Sequence, residues 1–246
     1  MAIHDSSSQR LFVAADLHVG AAFDATDEQF NYLVRVLRMA VGDAVLVFNG
    51  RDGEWRATLA DVGKRACQLV IDGQTRAQTA GPDITYLFAP LKRARLDYMV
   101  QKAVELGVRR LVPVLTRRTV AERVNLDRLR ANAIEAAEQC GILHVAEIAE
   151  PVKLERVLSD WDSGRQLIFC DEAAGIADPI AALTPLRGFP GAVLIGPEGG
   201  FEPQERDLIR ALPYATAISL GPRIMRADTA AIAALTLVNA TIGDWS

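Results

Sequence analysis

The sequence predicts a two-part α/β protein, with a small β-rich module over residues 1–75 and a larger module over 76–246 built on a mostly parallel sheet. Three observations carry this. Short β-prone runs in residues 44–71 are punctuated by Asn49-Gly50 and Asp52-Gly53, which are strong hairpin signals. From Asp83 onward strand-like runs alternate with amphipathic stretches, the pattern of repeated βα units. Near the C-terminus two apolar runs, 192–195 and 217–220, end in the turns Gly196-Pro197 and Gly221-Pro222. Two such loops lie on the carboxyl edge of the sheet, where α/β proteins bind ligands.

In the first module, 11–15 reads as a short strand. Thr26 can cap a helix from Asp27, with Asp27 and Glu28 in the first turn where the helix dipole favours them. Phe30, Leu33, Val34 and Leu37 share its apolar face, and Arg35 and Arg38 project from another. Strands at 44–48, 54–62 and 66–71 suggest a small β-barrel. The polar, Gly/Pro-containing stretch 72–82 reads as a linker.

In the second module a strand at 84–89 is closed by Pro90. A helix with apolar face Leu96, Met99, Val100, Ala103 and Val104 is stopped by Gly107. The strand 111–115 contains Pro113, which fits best near a strand start or edge. Asn125 can cap a helix through Cys140, stopped by Gly141. A strand at 145–148, a helix at 152–158 and a strand at 166–170 follow. Glu202-Pro203 starts another helix, proline suiting a first turn. The last helix, 226–242, is apolar nearly all round and predicts burial in a core or between subunits.

Composition bounds the function. Half of the 246 residues are hydrophobic, so the chain folds. No apolar run reaches the roughly 18 residues of a membrane helix, and no secretion signal opens the chain. Cys67, Cys140 and Cys170 are far apart with no CxxC, so reduced thiols, a cytoplasmic location and no metal are expected. Gly-x-Gly-x-x-Gly, Gly-x-Ser-x-Gly and a Gly-Lys-Ser/Thr phosphate loop are all missing. The net charge is −4, yet residues 76–130 hold twelve basic and five acidic side chains. A localised basic face is the footprint of a nucleic-acid partner, and solvated helix faces are the plainer reading.

The two loops carry the most specific motifs. Ile195-Gly196-Pro197-Glu198-Gly199-Gly200-Phe201 surrounds one carboxylate with glycines that can bring backbone close to a ligand. Leu220-Gly221-Pro222-Arg223-Ile224-Met225-Arg226-Ala227-Asp228-Thr229-Ala230 leads into the last helix. Together they resemble the double signature of the RsmE-type SPOUT methyltransferases, with Met225 for leucine and Asp228 for glutamate. The resemblance extends to Lys92-Arg93, Gln101-Lys102-x-x-Glu105-Leu106-Gly107-Val108, Glu135–Gly141 and Arg35-Val36-Leu37-Arg38. Ile142 stands where the family usually has arginine.

The resemblance implies an N-terminal PUA-like RNA-binding domain and a trefoil-knotted C-terminal domain that binds S-adenosylmethionine and forms a homodimer. It implies methylation of uridine N3 in 16S ribosomal RNA, free or in the 30S subunit. A related activity on another RNA, or RNA binding without catalysis, is the alternative. Ile195, Gly196, Glu198, Gly199, Gly200, Leu220, Gly221, Ile224, Met225 and Arg226 would border the cofactor, with Leu220, Ile224 and Met225 flanking its adenine. Arg10, Arg35, Arg38, Lys92 and Lys102 would meet RNA. Loss of the N3 proton leaves negative charge on O2 and O4, which a fixed cation stabilises, and Arg226 is the first candidate. Arginine stays protonated, so the proton would go to Asp228 or Glu198. Asp228 could instead cap the last helix, and Glu198 could be satisfied by loop amides or Arg223.

Overall fold

The computed structural model describes residues 9–120, 123–175 and 178–245. The chain divides into two compact units. Residues up to Ala80 form the first together with Ala137–Val145, and Gly81–Ala136 with the residues from Ala146 onward form the second.

The first unit is built on a five-stranded mixed sheet. Its strands are β1 (Arg10–Phe12), β2 (Ala22–Asp24), β3 (Ala44–Phe48), β4 (Glu54–Val62) and β5 (Cys67–Arg76), in the order β1-β3-β4-β5-β2. Only β1 and β3 pair in parallel. Helix α1 (Asp27–Phe30) opens with a capping box: Thr26 Oγ1 accepts from the Gln29 amide at 3.2 Å, and Gln29 Oε1 accepts from the Thr26 amide at 2.9 Å. The next six residues, Asn31–Val36, take a π-helical turn. Arg38 follows in the left-handed region at φ 58°, uncommon for a residue with a Cβ. Leu33, Val45, Val47, Leu59, Leu69 and Ile71 close the core. Strand β5 runs past residue 71 into the stretch expected as a linker, because Gly73, Gln74 and Arg76 still pair with β4. The short, largely exposed β2 has no alternating apolar pattern to announce it.

Arg10 is the first correction. Its side chain is 3% exposed and donates from Nε to Glu54 Oε2 at 2.8 Å. One Nη reaches the carbonyls of Ala137 at 2.8 Å and Glu138 at 3.1 Å. The guanidinium is used inward and offers no donor to an RNA on the surface. Arg76 donates to both oxygens of Glu54, to Oε2 at 2.7 Å and to Oε1 at 2.9 Å, and also reaches the Gly141 carbonyl at 3.0 Å. Burial pushes the Glu54 carboxyl up, but hydrogen bonds from Arg76, Arg10 and Thr75 outweigh it and bring the group down to about 2.

The second unit is a parallel sheet. Its elements are β6 (Ile84–Phe88), α2 (Arg93–Glu105), β7 (Arg110–Leu115), α3 (Leu126–Cys140, last turn in the first unit), β8 (Glu147–Ile148), β9 (Val152–Lys153) and α4 (Leu154–Ser159). They continue with β10 (Gln166–Cys170), α5 (Pro179–Leu183), β11 (Gly191–Ile195), α6 (Pro203–Arg210), β12 (Ala215–Ile218) and α7 (Ala227–Thr241). The strand order is β12-β10-β11-β6-β7-β8, with β9 pairing β7 farther along. Pro113 sits inside β7, not at its start. The Leu111 carbonyl bonds Ala149 on the β8 side, and by the two-residue period Pro113 faces the same way. Its missing amide falls between the β8 register at Leu111 and the β9 register at Val114. Strand β12 ends two residues earlier than the apolar run suggested, because its partner β10 ends at Cys170 opposite Ile218. That releases Ser219 and Leu220 into the loop. Helix α7 packs its small residues Ala231 and Ala234, with Leu235 and Val238, into the core.

Candidate active site

Strands β12, β10, β11, β6 and β7 pair in parallel throughout, so their carboxyl ends share one edge. The loops 171–175, 196–202 and 219–226 leave β10, β11 and β12 side by side there. They enclose a cavity of about 550 Å³, within the range of small-molecule sites. Ile195, Gly196, Glu198, Gly200, Leu220, Gly221, Ile224, Met225 and Arg226 line it, as does Arg95 from α2. Gly199 and Asp228 are not on its wall.

The glycines serve different ends. A Cβ on Gly196 would lie 2.4 Å from the Phe201 ring, so its bare Cα makes room for that ring. Phe201 in turn stacks edge-on against Phe169, with centroids 5.1 Å apart, and pins the loop to the core. Gly200 has φ +69°, and a Cβ there would meet Glu172 Oε1 at 2.7 Å.

The cavity wall carries mixed charge. Arg226 is the N-cap of α7, is exposed, and has no hydrogen-bond or carboxylate partner for its guanidinium among the described residues. No side chain caps that helix end, so its positive dipole end opens at the cavity. Glu198 is half-exposed and ion-paired with Arg95, not with Arg223 or loop amides. Asp228 lies in the first turn of α7 and accepts from the Thr229 amide at 2.9 Å, a helix-end role away from the wall. Ile224 is 91% exposed, so the cavity face alone does not cover it.

The Gly-Pro turns do not announce the third loop, the one after β10, although its strand end at Cys170-Asp171-Glu172 is legible in the sequence. Asp171 is buried and held by Arg210 Nε at 2.8 Å, with Arg206 Nε at 3.2 Å in poor hydrogen-bond geometry. This ties the β10 loop to α6. Burial, with Asp171 adding to it, pushes the Cys170 thiol up to about 12, which favours the protonated thiol.

The residues expected to meet RNA are spread out. Arg35 is exposed, donates to the Lys64 carbonyl at 3.1 Å and lies over the Phe30 ring. Arg38 is exposed beside it. In the other unit Lys92 is exposed at the N-cap of α2, and Lys102 pairs with Glu105 at 2.7 Å over the Tyr98 ring. The basic stretch does not remain a bare positive face. Arg95, Arg110, Arg117 and Arg118 pair with Glu198, Glu147 and Glu202, all from outside it.

Comparison with known proteins gives this geometry its relatives. Residues 79–239 match an RNA methyltransferase domain, and residues 25–72 match an RNA methyltransferase PUA domain. The chain belongs to the RNA methyltransferase family. The ribosomal RNA small subunit methyltransferase E of Rickettsia conorii is 30% identical over 215 residues, 87% of each chain. The enzyme of that name from Neisseria gonorrhoeae, solved bound to S-adenosyl methionine, superposes with a TM-score of 0.84 at 26% identity, over 97% of this chain and 100% of that one. A Legionella pneumophila structure in complex with the same cofactor gives 0.83 at 27% identity, over 96% and 99%. The family therefore has a PUA domain ahead of a SPOUT-type α/β methyltransferase fold, and so does this chain.

Proposed function

We propose that this chain methylates N3 of a uridine in 16S ribosomal RNA of the small subunit, with S-adenosylmethionine as donor. The observation that carries the reading is the cavity at the carboxyl edge, with Arg226, unpartnered among the described residues, on its wall at the start of α7. The cavity fits the cofactor in chemistry. Ile195, Leu220 and Met225 offer apolar surface for a flat base, and Glu172, Glu198 and loop backbone offer polar contacts for ribose and amino-acid ends. The bound cofactor supplies an electrophilic methyl on a sulfonium. The chain's own part is to hold the acceptor nitrogen in line, to exclude water, and to stabilise the anion left when N3 gives up its proton. Arg226 and the α7 amides are placed for that last task. Glu198, on the same wall, is the better proton acceptor of the two carboxylates, because Asp228 is outside the cavity.

The two-module division, with residues 1–75 gripping RNA and 76–246 carrying the chemistry, is part of the same proposal. The RNA side rests on Arg35 and Arg38 in the first module and on Lys92 in the second, all exposed. A cytoplasmic homodimer completes it. Among the described residues no helix is long and apolar enough to cross a membrane. The test is methyl transfer from labelled cofactor to small-subunit ribosomal RNA and to 30S particles, with the nucleoside identified by mass spectrometry. N3-methyluridine is expected; a different methylated nucleoside refutes the specificity, and no transfer refutes the activity. Arg226→Ala is expected to lose at least a hundredfold in turnover while cofactor and RNA affinities hold. Unchanged turnover would remove Arg226 from the mechanism.

A further inference from the structure

Three arginines from the basic stretch 76–130 converge on the loop 196–202. Arg95, from the helix after β6, pairs with Glu198. Arg118, from the loop after β7, donates to the Gly199 carbonyl at 2.9 Å and approaches Glu202 at 3.6 Å. Arg117, beside it, donates to Gln204 at 2.7 Å and lies 3.6 Å from Glu202. Sheet order β11-β6-β7 brings the segments that carry these arginines beside that loop at the carboxyl edge.

We propose that Arg95, Arg117 and Arg118 form a phosphate-binding rim that leads the RNA strand to the cavity, and that Glu198 and Glu202 occupy it until phosphodiesters displace them. The proposal rests on the RNA methyltransferase reading and adds positioning residues to it. Three features favour phosphate over a purely structural latch. The guanidiniums keep 40%, 52% and 46% of their side-chain surface open, as a group buried to brace a loop would not. Ion pairs this exposed contribute little stability, so exchanging a carboxylate for a phosphate is easy. The planar guanidinium fork matches a phosphodiester's two free oxygens as well as it matches a carboxylate. The occupying carboxylates also keep non-specific polyanions off the rim, since any anion must first compete with them.

Filter binding of small-subunit ribosomal RNA between 50 and 200 mM KCl tests this, with cofactor affinity measured by calorimetry on the same proteins. Arg118→Ala and Arg95→Ala are each expected to weaken RNA binding about fivefold to tenfold at 50 mM and to reduce the salt slope by about 0.7 per lost phosphate contact. Arg118→Lys should recover most of the slope, because it keeps the charge, and less of the affinity. Glu202→Gln, which retains a capping side chain, should tighten RNA binding about threefold at 50 mM. Cofactor affinity should stay within twofold in the Arg118 and Glu202 variants, whose side chains are off the cavity wall. An unchanged salt slope in the alanine variants, or in Arg118→Ala a loss of cofactor affinity parallel to the loss of RNA, would overturn the rim and leave a loop latch. Weaker RNA binding by Glu202→Gln would overturn the displacement step. If the wild-type protein transfers no methyl to ribosomal RNA, the underlying reading falls instead, and that result appears before any variant is made.

Discussion

Replacing Glu54 with glutamine tests whether the buried cluster it forms with Arg10 and Arg76 holds the first unit together. The carboxyl is carried from an ordinary 4.5 down to about 2 in the folded chain. At about 1.36 kcal/mol per unit this difference is worth about 3 kcal/mol near neutrality. Glu54→Gln loses that term and leaves the Arg10 guanidinium, 3% exposed, without its counter-charge. Breaking a buried pair in this way costs about 3–5 kcal/mol. The sign with pH follows from the lowered pKa. The stabilisation is complete above the unfolded value of 4.5 and is lost as pH falls towards about 2. At pH 3 the wild type has given up about 2 kcal/mol of it, so the gap between wild type and variant narrows by that amount. Urea unfolding followed through Trp55, which donates to the Asp52 carbonyl in the same unit, measures the gap at both pH values, in a background without the other two tryptophans. A destabilisation below about 1 kcal/mol at pH 7, or a gap that does not shrink at pH 3, would refute the reasoning. A companion variant, Arg10→Met with Glu54→Gln, should recover part of the loss, because the buried Arg10 charge is then removed and the remaining Arg76 keeps some access to water.

Gly196→Ala drives a Cβ to within 2.4 Å of the Phe201 ring, and calorimetry should find cofactor affinity reduced about tenfold through the displaced loop. Adding Phe201→Leu should restore part of it. Asn239 is fully buried in α7 and donates to the Leu106 carbonyl at 2.7 Å, at the end of α2. Asn239→Leu should lower stability by about 1–3 kcal/mol in chemical denaturation, by leaving that carbonyl without its donor.

The elements legible in the sequence were those specified by their own residues. Thr26 with Gln29, and Asn125 with the Arg128 amide, are caps written in four consecutive residues, and both form. Strands Ala44–Phe48, Glu54–Val62 and Gln166–Cys170 fall where the apolar runs and turn glycines put them. What was not legible depends on distant partners. Arg10 looked like a surface cation because the residues that bury it, Glu54 and Ala137, stand 44 and 127 positions away. Arg95 counted only as one of the basic residues of 76–130, since its place at the site comes from Glu198, 103 positions later. The short α5 carried a local signal in Asp178-Pro179, where the Asp178 side chain accepts from the Ile180 amide at 2.9 Å, but its five residues are too few to show a period.

The sheet order explains why the two Gly-Pro motifs alone underdescribe the site. From β6 the chain steps outward to β7 and β8, then returns to build β10, β11 and β12 on the other side of β6. Direction reverses at the β6–β11 pair, and loops that leave neighbouring strands there diverge and open a crevice. The motif loops after β11 and β12 form one flank of that crevice, and β10, wedged between their strands, must contribute its own loop. The opposite flank belongs to the segments leaving β6 and β7, which bring Arg95, Arg117 and Arg118 to face Glu198 and Glu202. A ligand enclosed by the first flank is therefore approached across the second. On the proposed reading, the small cofactor would lie within the first flank and the long, anionic acceptor would reach it across the second.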